Sequence, residues 1–172
     1  TSSAASDVYK RQSLLVLETL ARFGYEAHAA PAYLQCFDEN ELRRIRHQLG
    51  CRLKLVQLIG EDDWSPEPTN FAAMRTKKGL AILSGTVDGV GPWFNRLYKL
   101  RKRDGRISDS GFVTRAHEQG LVVHPYTFRS DALPPGFTSF DELLDFSINE
   151  LALDGLFTDF PDKVFRFLRR IS

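Results

Sequence analysis

The chain has 172 residues, of which 42% are hydrophobic and 26% charged, and its net charge is +1. That composition is typical of one globular domain with a core of its own, and the interspersed charges indicate no nucleic-acid or membrane-surface partner. No stretch of the sequence is apolar over a length that could span a bilayer. The two cysteines, Cys36 and Cys51, fit no metal or redox spacing, and a disulfide between them is open but disfavoured.

The first twelve residues stand apart from the rest. Ser2–Gln12 has neither apolar periodicity nor the apolar centre of a signal peptide. It resembles the in-frame translation of a transposase-type sequencing adaptor. We therefore expect residues 1–12 to be an adaptor-derived segment or a disordered tail, and the natural reading frame to begin near Ser13, within a gene.

From Ser13 onward, helical patterns alternate with short apolar runs. Leucines at helical spacing predict a first helix over 13–24, and Asp38 and Ser139 each begin an N-terminal capping pattern with a Glu three residues later. The predicted strands are 32–37, 53–59, 88–92, 120–129 and 155–162. The helices between and after them are 38–50, 71–83, 110–119, one from 139, and one opening at Pro161.

Strands separated by helices predict a parallel sheet with right-handed crossovers, in an α/β fold. Two architectures fit: an open doubly wound sheet, or part of a (β/α)8 barrel. No Gly-rich phosphate-binding turn follows any strand, which disfavours the open sheet.

Polar and aromatic side chains at strand ends are the candidate functional residues, because ligands bind at the carboxyl ends of parallel strands. His124, Tyr126 and Arg129 follow one strand. Arg129 could bind phosphate or form a surface ion pair, and Asp159 could bind a ligand or cap the closing helix, which we favour.

Other candidates lie earlier in the chain. Gln35, with Phe37, and Gln57 alternate along their strands, and a Gln within an apolar strand needs a partner, either structural or in the substrate. Trp64 and Trp93 follow strands, where each could pack in a loop or form a pocket wall.

Five motifs in order resemble the later strands of the glycerophosphodiester phosphodiesterase family, nearest to its bacterial periplasmic type. They are Tyr33–Asp38 (YLQCFD), Leu55–Ile59 (LVQLI), Asp88–Pro92 (DGVGP), Val122–Arg129 (VVHPYTFR) and Asp154–Asp162 (DGLFTDFPD). The resemblance covers Ser13–Ser172. It implies a TIM barrel of which this chain holds about the last five β/α units.

The resemblance also implies an activity: metal-dependent hydrolysis of glycerophosphodiesters to glycerol 3-phosphate and an alcohol, with calcium or magnesium as the divalent metal. The family's catalytic histidines lie in a His-Arg-Gly motif and a His-Asp motif, and its metal ligands on early strands. None of those motifs occurs here in matching context. We expect no catalytic residue and no metal ligand in this chain, an inactive and poorly stable fragment, and a periplasmic or secreted parent protein.

By the same resemblance, the substrate contacts are Gln35, Phe37, Trp93, His124, Tyr126 and Arg129. Two alternatives stay open. One is a non-enzymatic α/β binding module that is complete as written. The other is a related barrel phosphodiesterase with a different head-group specificity.

Overall fold

The computed structural model describes residues 2–64 and 69–171, with side chains from Arg11 onward, so the Pro-rich part of the loop after the second strand lies outside the described residues. The helices are α1 (Ser2–Arg22), α2 (Glu39–His47), α3 (Phe71–Met74), α4 (Lys77–Leu83), α5 (Phe112–His117), α6 (Phe140–Asp145) and α7 (Pro161–Ile171). The strands are β1 (Tyr33–Cys36), β2 (Lys54–Ile59), β3 (Gly89–Pro92), β4 (Tyr98–Leu100), β5 (Ile107–Asp109) and β6 (Val122–Val123). A 3-10 turn covers Phe94–Arg96, and a π-helical turn, Phe146–Glu150, continues α6.

A parallel sheet in the order β1-β2-β3-β6 forms the centre of the described chain. Beyond β6 the ladder continues through two isolated parallel bridges, Trp93 to Tyr126 and Phe128 to Thr158. The segment around Thr158 therefore takes the place of a fifth neighbouring strand. This order, with helices between the strands, confirms the predicted parallel α/β architecture. Of the last two predicted strands, 120–129 is reduced to β6, and 155–162 forms no strand beyond the single bridge at Thr158.

The strand register separates the two faces of the sheet. Tyr33 pairs with Lys54, and Gln35 with Val56, so these side chains share one face, while Cys36 and Gln57 share the other. The second face packs under the helices, where Leu42, Ile45, Leu80 and Leu143 are buried together with the strand residues of the core. The first face is open at β1, where Tyr33 is 40% exposed and Gln35 is exposed too, whereas Val56 on the same face is buried. In a closed barrel, such a face would point into the interior.

Gln57 shows why a Gln is tolerated in this apolar strand. It is fully buried on the helix-covered face, and its Nε2 donates to the carbonyl oxygens of Phe37 (2.8 Å) and Leu58 (2.9 Å). The amide thus joins the ends of β1 and β2, which is the structural alternative for this residue. Its Oε1 has no partner among the described residues.

The first helix differs from its prediction. It begins at Ser2, well before Ser13, so the backbone of residues 2–12 is helical where a disordered tail was one of two expectations. The segment contains neither Pro nor Gly, and Ala, Lys, Arg and Gln within it are good helix formers. The adaptor origin of these residues stays a prediction. Thr1 lies outside the described residues.

Two further helices begin at their predicted capping residues. Asp38 accepts hydrogen bonds from the backbone N–H groups of Asn40 and Glu41, and Ser139 accepts from that of Glu142. The helix predicted over 71–83 is split, because Thr76 caps a new helix by accepting from Gly79 N–H. Gly79 lies so close to the preceding turn that a Cβ there would meet Ala73 O at 2.1 Å, hence only glycine fits.

The closing helix α7 begins at Pro161 as predicted. Phe167 is buried, whereas Phe165 is 61% exposed and Leu168 is 39% exposed. The basic run 99–103 lies on a small antiparallel hairpin of β4 and β5 and its turn. Neither α1 nor any other described helix is long and apolar enough to cross a membrane.

Candidate functional site

A cavity of about 420 Å³ opens at the carboxyl ends of β2, β3 and β6. Its walls come from loops that follow these strands: Trp64 after β2, residues 93–95 after β3, and residues 126, 127, 129 and 132–135 after β6. Parallel strands place all these segments at one edge of the sheet, where α/β proteins bind their ligands. Three of the predicted contacts, Trp93, Tyr126 and Arg129, therefore lie together on one cavity.

Aromatic rings dominate the cavity wall. We use the name aromatic wall for Trp64, Trp93 and Tyr126. The Trp64 and Trp93 rings lie 5.2 Å apart at 57°, and Trp64 is 50% exposed. Phe37, another predicted contact, lies behind Tyr126 in an edge-to-face pair at 5.8 Å and does not line the cavity. The rings thus support one another and leave faces open to the cavity.

Tyr126 is fixed by its hydroxyl group. Its Oη donates to the carbonyl oxygen of Ile59 at 3.0 Å, which ties the end of β6 to the end of β2. Burial, reinforced by the nearby Glu61 carboxylate, raises the pKa of Tyr126 to about 12. The phenol therefore stays neutral at physiological pH and presents its ring, rather than its hydroxyl group, to a ligand.

Arg129 lies at the rim of the cavity between two carboxylates. Its Nε and Nη2 donate to Asp131 at 3.0 and 2.8 Å, and its Nη1 donates to Asp159 at 2.8 Å. The hydrogen bonds that Arg129 donates to Asp131 raise the pKa of Arg129 and lower the pKa of Asp131. The guanidinium is thus already paired, so a phosphate would have to compete with two exposed ion pairs.

Asp159 does not cap the closing helix, contrary to the prediction. Its carboxylate pairs with Arg129, and the N–H of Phe160 donates instead to the hydroxyl oxygen of Thr158 at 2.9 Å. That hydroxyl in turn donates to the carbonyl oxygen of Phe128. The start of α7 is therefore held by Thr158.

His124 and Gln35 lie on the open face of the sheet but deeper than the cavity. The His124 ring packs edge-on against Tyr33 at 4.7 Å and against Gly155, where a Cβ would come within 2.9 Å of the ring. Burial lowers the pKa of His124, and Lys54 adds to that effect while Asp154 opposes it. The imidazole is consequently neutral near pH 7. It is packed against Tyr33 and Gly155 and does not line the cavity.

Sequence reasoning did not identify Glu61, which the structure places at the centre of the loops below the cavity. Glu61 follows β2 and is 9% exposed. Arg96, after β3, donates to it through Nε at 2.7 Å and through Nη2, and Arg75 donates at 3.4 Å. These arginines, Arg96 first, hold the pKa of Glu61 below its usual value. Its position directly after a strand was the available signal.

Metal-ligating side chains do not group together among the described residues. Within the part of the chain that the structure describes, no three His, Cys, Asp or Glu side chains group together as a metal site would require. The residues present therefore do not fit a divalent ion. Both cysteines are free thiols, and burial raises the pKa of Cys36.

Comparison with known proteins extends these observations. Residues 2–163 match the family model described as "Glycerophosphoryl diester phosphodiesterase family". A glycerophosphodiester phosphodiesterase of Haemophilus influenzae is 36% identical in an alignment of 171 positions that covers 91% of this chain and 47% of that protein. One from Treponema pallidum is 27% identical over 169 residues, 90% of this chain and 48% of its own length.

A solved structure agrees in fold. The crystal structure of a glycerophosphodiester phosphodiesterase from Parabacteroides distasonis superposes with a TM-score of 0.61 at 12% identity, covering 96% of this chain and 54% of that one. The chain spans about half the length of the curated relatives it matches. The parallel sheet is accordingly part of a TIM-barrel fold, and the chain belongs to the glycerophosphoryl diester phosphodiesterase family.

Proposed function

We propose that this chain is the substrate-binding part of an enzyme that hydrolyses glycerophosphodiesters to glycerol 3-phosphate and an alcohol. The family match over residues 2–163 is the observation that carries the proposal. The position of the cavity supports it, since barrel enzymes act at the carboxyl ends of their strands. The reaction adds water across the phosphodiester bond: the phosphorus–oxygen bond to the alcohol breaks, and the alcohol leaves with a proton.

The reacting groups belong, in this proposal, to the part of the relatives that the chain does not match. The divalent metal expected of the family, calcium or magnesium, would be held there too, because the described residues group no set of ligands for it. His124 has no catalytic role here. It is packed against Tyr33 and its pKa is lowered, so it serves as a neutral wall of the interior.

The substrate contacts fall into two groups by depth. Trp93, Tyr126 and Arg129 border the cavity and would meet the substrate first. Gln35 and His124 lie on the open face, where the interior of a closed barrel would be, and Phe37 supports Tyr126 from behind. A complete binding module is disfavoured, because such a module would cover the open face of its sheet, whereas Tyr33 and Phe37 are 40% and 43% exposed.

A chimeric chain tests the proposal. The part of the Haemophilus influenzae relative that this chain does not match would be joined to residues 13–172, and release of glycerol 3-phosphate would be measured with calcium or magnesium. We expect turnover of glycerophosphodiesters and none of a nucleoside cyclic phosphate. Trp93→Ala should raise KM by about tenfold or more, as expected for the loss of a buried aromatic contact. A folded chimera, with a cooperative thermal transition, that releases no glycerol 3-phosphate would refute the proposal.

A further inference from the structure

A cluster of positive charge lies on the hairpin that follows β3. We use the name basic hairpin for residues 99–106 (KLRKRDGR), which comprise the end of β4 and the turn before β5. The segment holds five lysines and arginines and one carboxylate, Asp104, so it has four net positive charges in a chain whose total is +1. The rest of the chain is therefore net negative. The balance of the whole chain, which predicted no membrane-surface partner, conceals this local excess.

The basic hairpin is anchored by its apolar face. Leu100 pairs with Ile107 across the hairpin, and both side chains pack against Gly136, where a Cβ would come within 2.9 Å of Leu100 and 3.1 Å of Ile107. The N–H of Arg101 donates to the carbonyl oxygen of Arg106 at 2.9 Å and closes the turn. All the basic side chains are exposed. The hairpin thus holds its charges on a fixed, outward-facing surface.

Most of these charges are not neutralised within the described residues. Arg101 forms an ion pair with Asp104 in the turn. The basic side chains that form no ion pair with any described residue are Lys99, Lys102, Arg103 and Arg106. By contrast, the three arginines of α2 are all paired with carboxylates. The charge of the basic hairpin is therefore available to an anion outside the described chain.

The shape and composition of the basic hairpin favour an extended anionic surface. Its side chains project from an exposed turn and do not enclose a small anion. Residues 99–106 include no aromatic ring on which a nucleic-acid base could stack. A bilayer with anionic lipids attracts basic residues by charge alone, without matched geometry, and each Lys or Arg near it strengthens binding by about fivefold.

The basic hairpin lies at the same edge of the sheet as the cavity. It follows β3, as Trp93 does, and the Tyr98 hydroxyl group donates to the carbonyl oxygen of Pro135, a residue of the cavity wall, at 2.9 Å. Trp64, which is half exposed on the same cavity, is of the residue type that prefers the interface between lipid and water. An anionic surface bound by the hairpin would therefore lie next to the mouth of the cavity.

We propose that the basic hairpin docks this part of the protein onto a bilayer that contains anionic lipids, with the mouth of the cavity next to the membrane surface. The attraction itself does not depend on hydrolysis. Its consequence rests on the proposed function: glycerophosphodiesters are phospholipids that have lost their acyl chains, so the docked enzyme would meet its substrate where deacylation releases it.

Co-sedimentation of the 172-residue chain with lipid vesicles tests this inference. One set of vesicles would contain phosphatidylcholine alone, and the other an equal mixture of phosphatidylcholine and phosphatidylglycerol. We expect the anionic vesicles to bind the chain more than about tenfold more strongly than the neutral ones. That excess should disappear in about 1 M salt, where the screening length falls to about 3 Å. Binding to the neutral vesicles measures the background from uncovered apolar side chains.

Two double variants that remove the same charge locate the binding surface. Lys102→Gln with Arg103→Gln changes the turn and should weaken binding to the anionic vesicles by about 25-fold, at about fivefold for each residue. The matched control is Arg22→Gln with Arg52→Gln. Both of these arginines are exposed and precede strands β1 and β2, so they lie toward the opposite edge of the sheet. The control should weaken binding by less than about threefold, because charges far from the surface are screened.

Three results would overturn the inference: equal binding to neutral and anionic vesicles, an equal loss in the two double variants, or an excess that persists in high salt. A hairpin variant that no longer binds a single-stranded oligonucleotide, but binds anionic vesicles as the unsubstituted chain does, would assign the surface to nucleic acid instead and overturn it as well. Where a double variant lacks the thermal transition of the unsubstituted chain, the two vesicle types and the salt dependence decide the matter.

The outcome is distinct from that of the proposed function. If the chimeric chain hydrolyses glycerophosphodiesters but the hairpin variant binds vesicles like the unsubstituted chain, only the membrane inference fails. If the vesicles bind as expected but the chimera releases no glycerol 3-phosphate from any glycerophosphodiester, the proposed function fails and the docking surface stands.

Discussion

Glu61 connects the loops that carry the aromatic wall. It follows β2, as Trp64 does, and Arg96 follows Trp93 by three residues. The ion pair of Glu61 with Arg96 therefore joins the two loops that bring the tryptophan rings within 5.2 Å of each other. Arg75 joins the same group and also donates to the carbonyl oxygen of Gly60 at 2.6 Å.

Replacing Glu61 by Gln should destabilise the chain by about 1–3 kcal/mol, because two arginines lose a largely buried partner. The pKa of Glu61 is lowered in the folded chain, so its contribution is present above the usual value of 4.5 and is lost as pH falls through the lowered pKa. The stability difference between the native chain and Glu61→Gln should therefore shrink below that pH. Urea unfolding at neutral and acidic pH measures it.

A matched control exists in Glu118→Gln. Glu118 pairs with Lys77 in an exposed bridge, with side chains 47% and 69% exposed, and its loss should cost less than about 0.5 kcal/mol. Equal effects of the two substitutions at neutral pH would show that Glu61 has no special structural role.

The sequence predicted those residues of the site that directly follow a strand. Trp93, Tyr126 and Arg129 follow strands, and strand ends meet at one edge of a parallel sheet, so their meeting at one cavity follows from pattern alone. The pairing of Glu61 with Arg75 and Arg96 joins residues 14 and 35 positions apart and depends on loop conformations. No local pattern encodes such pairings. For Asp159, by contrast, the local pattern predicted a helix cap, whereas its carboxylate accepts a hydrogen bond from Arg129, 30 positions away.

At the scale of elements, two Asp-Gly pairs anchor the strands at their amino ends. Asp88, just before β3, accepts from Leu55 N–H at 2.8 Å and from Arg46 and His28 at 2.6 and 2.9 Å. Asp154 repeats the arrangement with Val123 N–H and His117, each at 2.8 Å. Each carboxylate accepts the first free N–H of the neighbouring strand and so sets the register of the pair.

Asp88→Asn should lower the free energy of unfolding by about 1–2 kcal/mol, since the amide keeps an acceptor oxygen but loses the charge that pairs with Arg46. Thermal or urea unfolding measures the effect. Asp104→Asn is the control, because Asp104 pairs with Arg101 on the surface hairpin, and that substitution should cause no measurable change. A larger loss in Asp104→Asn than in Asp88→Asn would contradict this account.

The order and type of most elements follow from periodicity, but two features did not. The break at Thr76 within 71–83 arises because its hydroxyl oxygen accepts from Gly79 N–H, and Gly79 can approach the preceding turn closely. The hairpin of β4 and β5 has strands of three residues each. Strands that short carry no alternation that a sequence pattern could detect.

At the scale of the whole molecule, the described chain is an arc of a barrel wall. Helices cover one face, and the core lies between them and the sheet. On the other face of the sheet Tyr33 and Phe37 are exposed. The closing helix α7 separately exposes Phe165, Leu168 and Ile171. β1 has a neighbour on one side only among the described strands. An exposed parallel edge and uncovered apolar side chains are the features expected when further barrel segments pack there.

In the function we propose, this chain carries substrate-binding walls and the reacting groups lie elsewhere in the family's fold. The most direct measurement is an assay of the purified 172-residue chain for release of glycerol 3-phosphate from glycerophosphocholine, with added calcium or magnesium. We expect no release above the rate without protein. Turnover by this chain alone would contradict the claim.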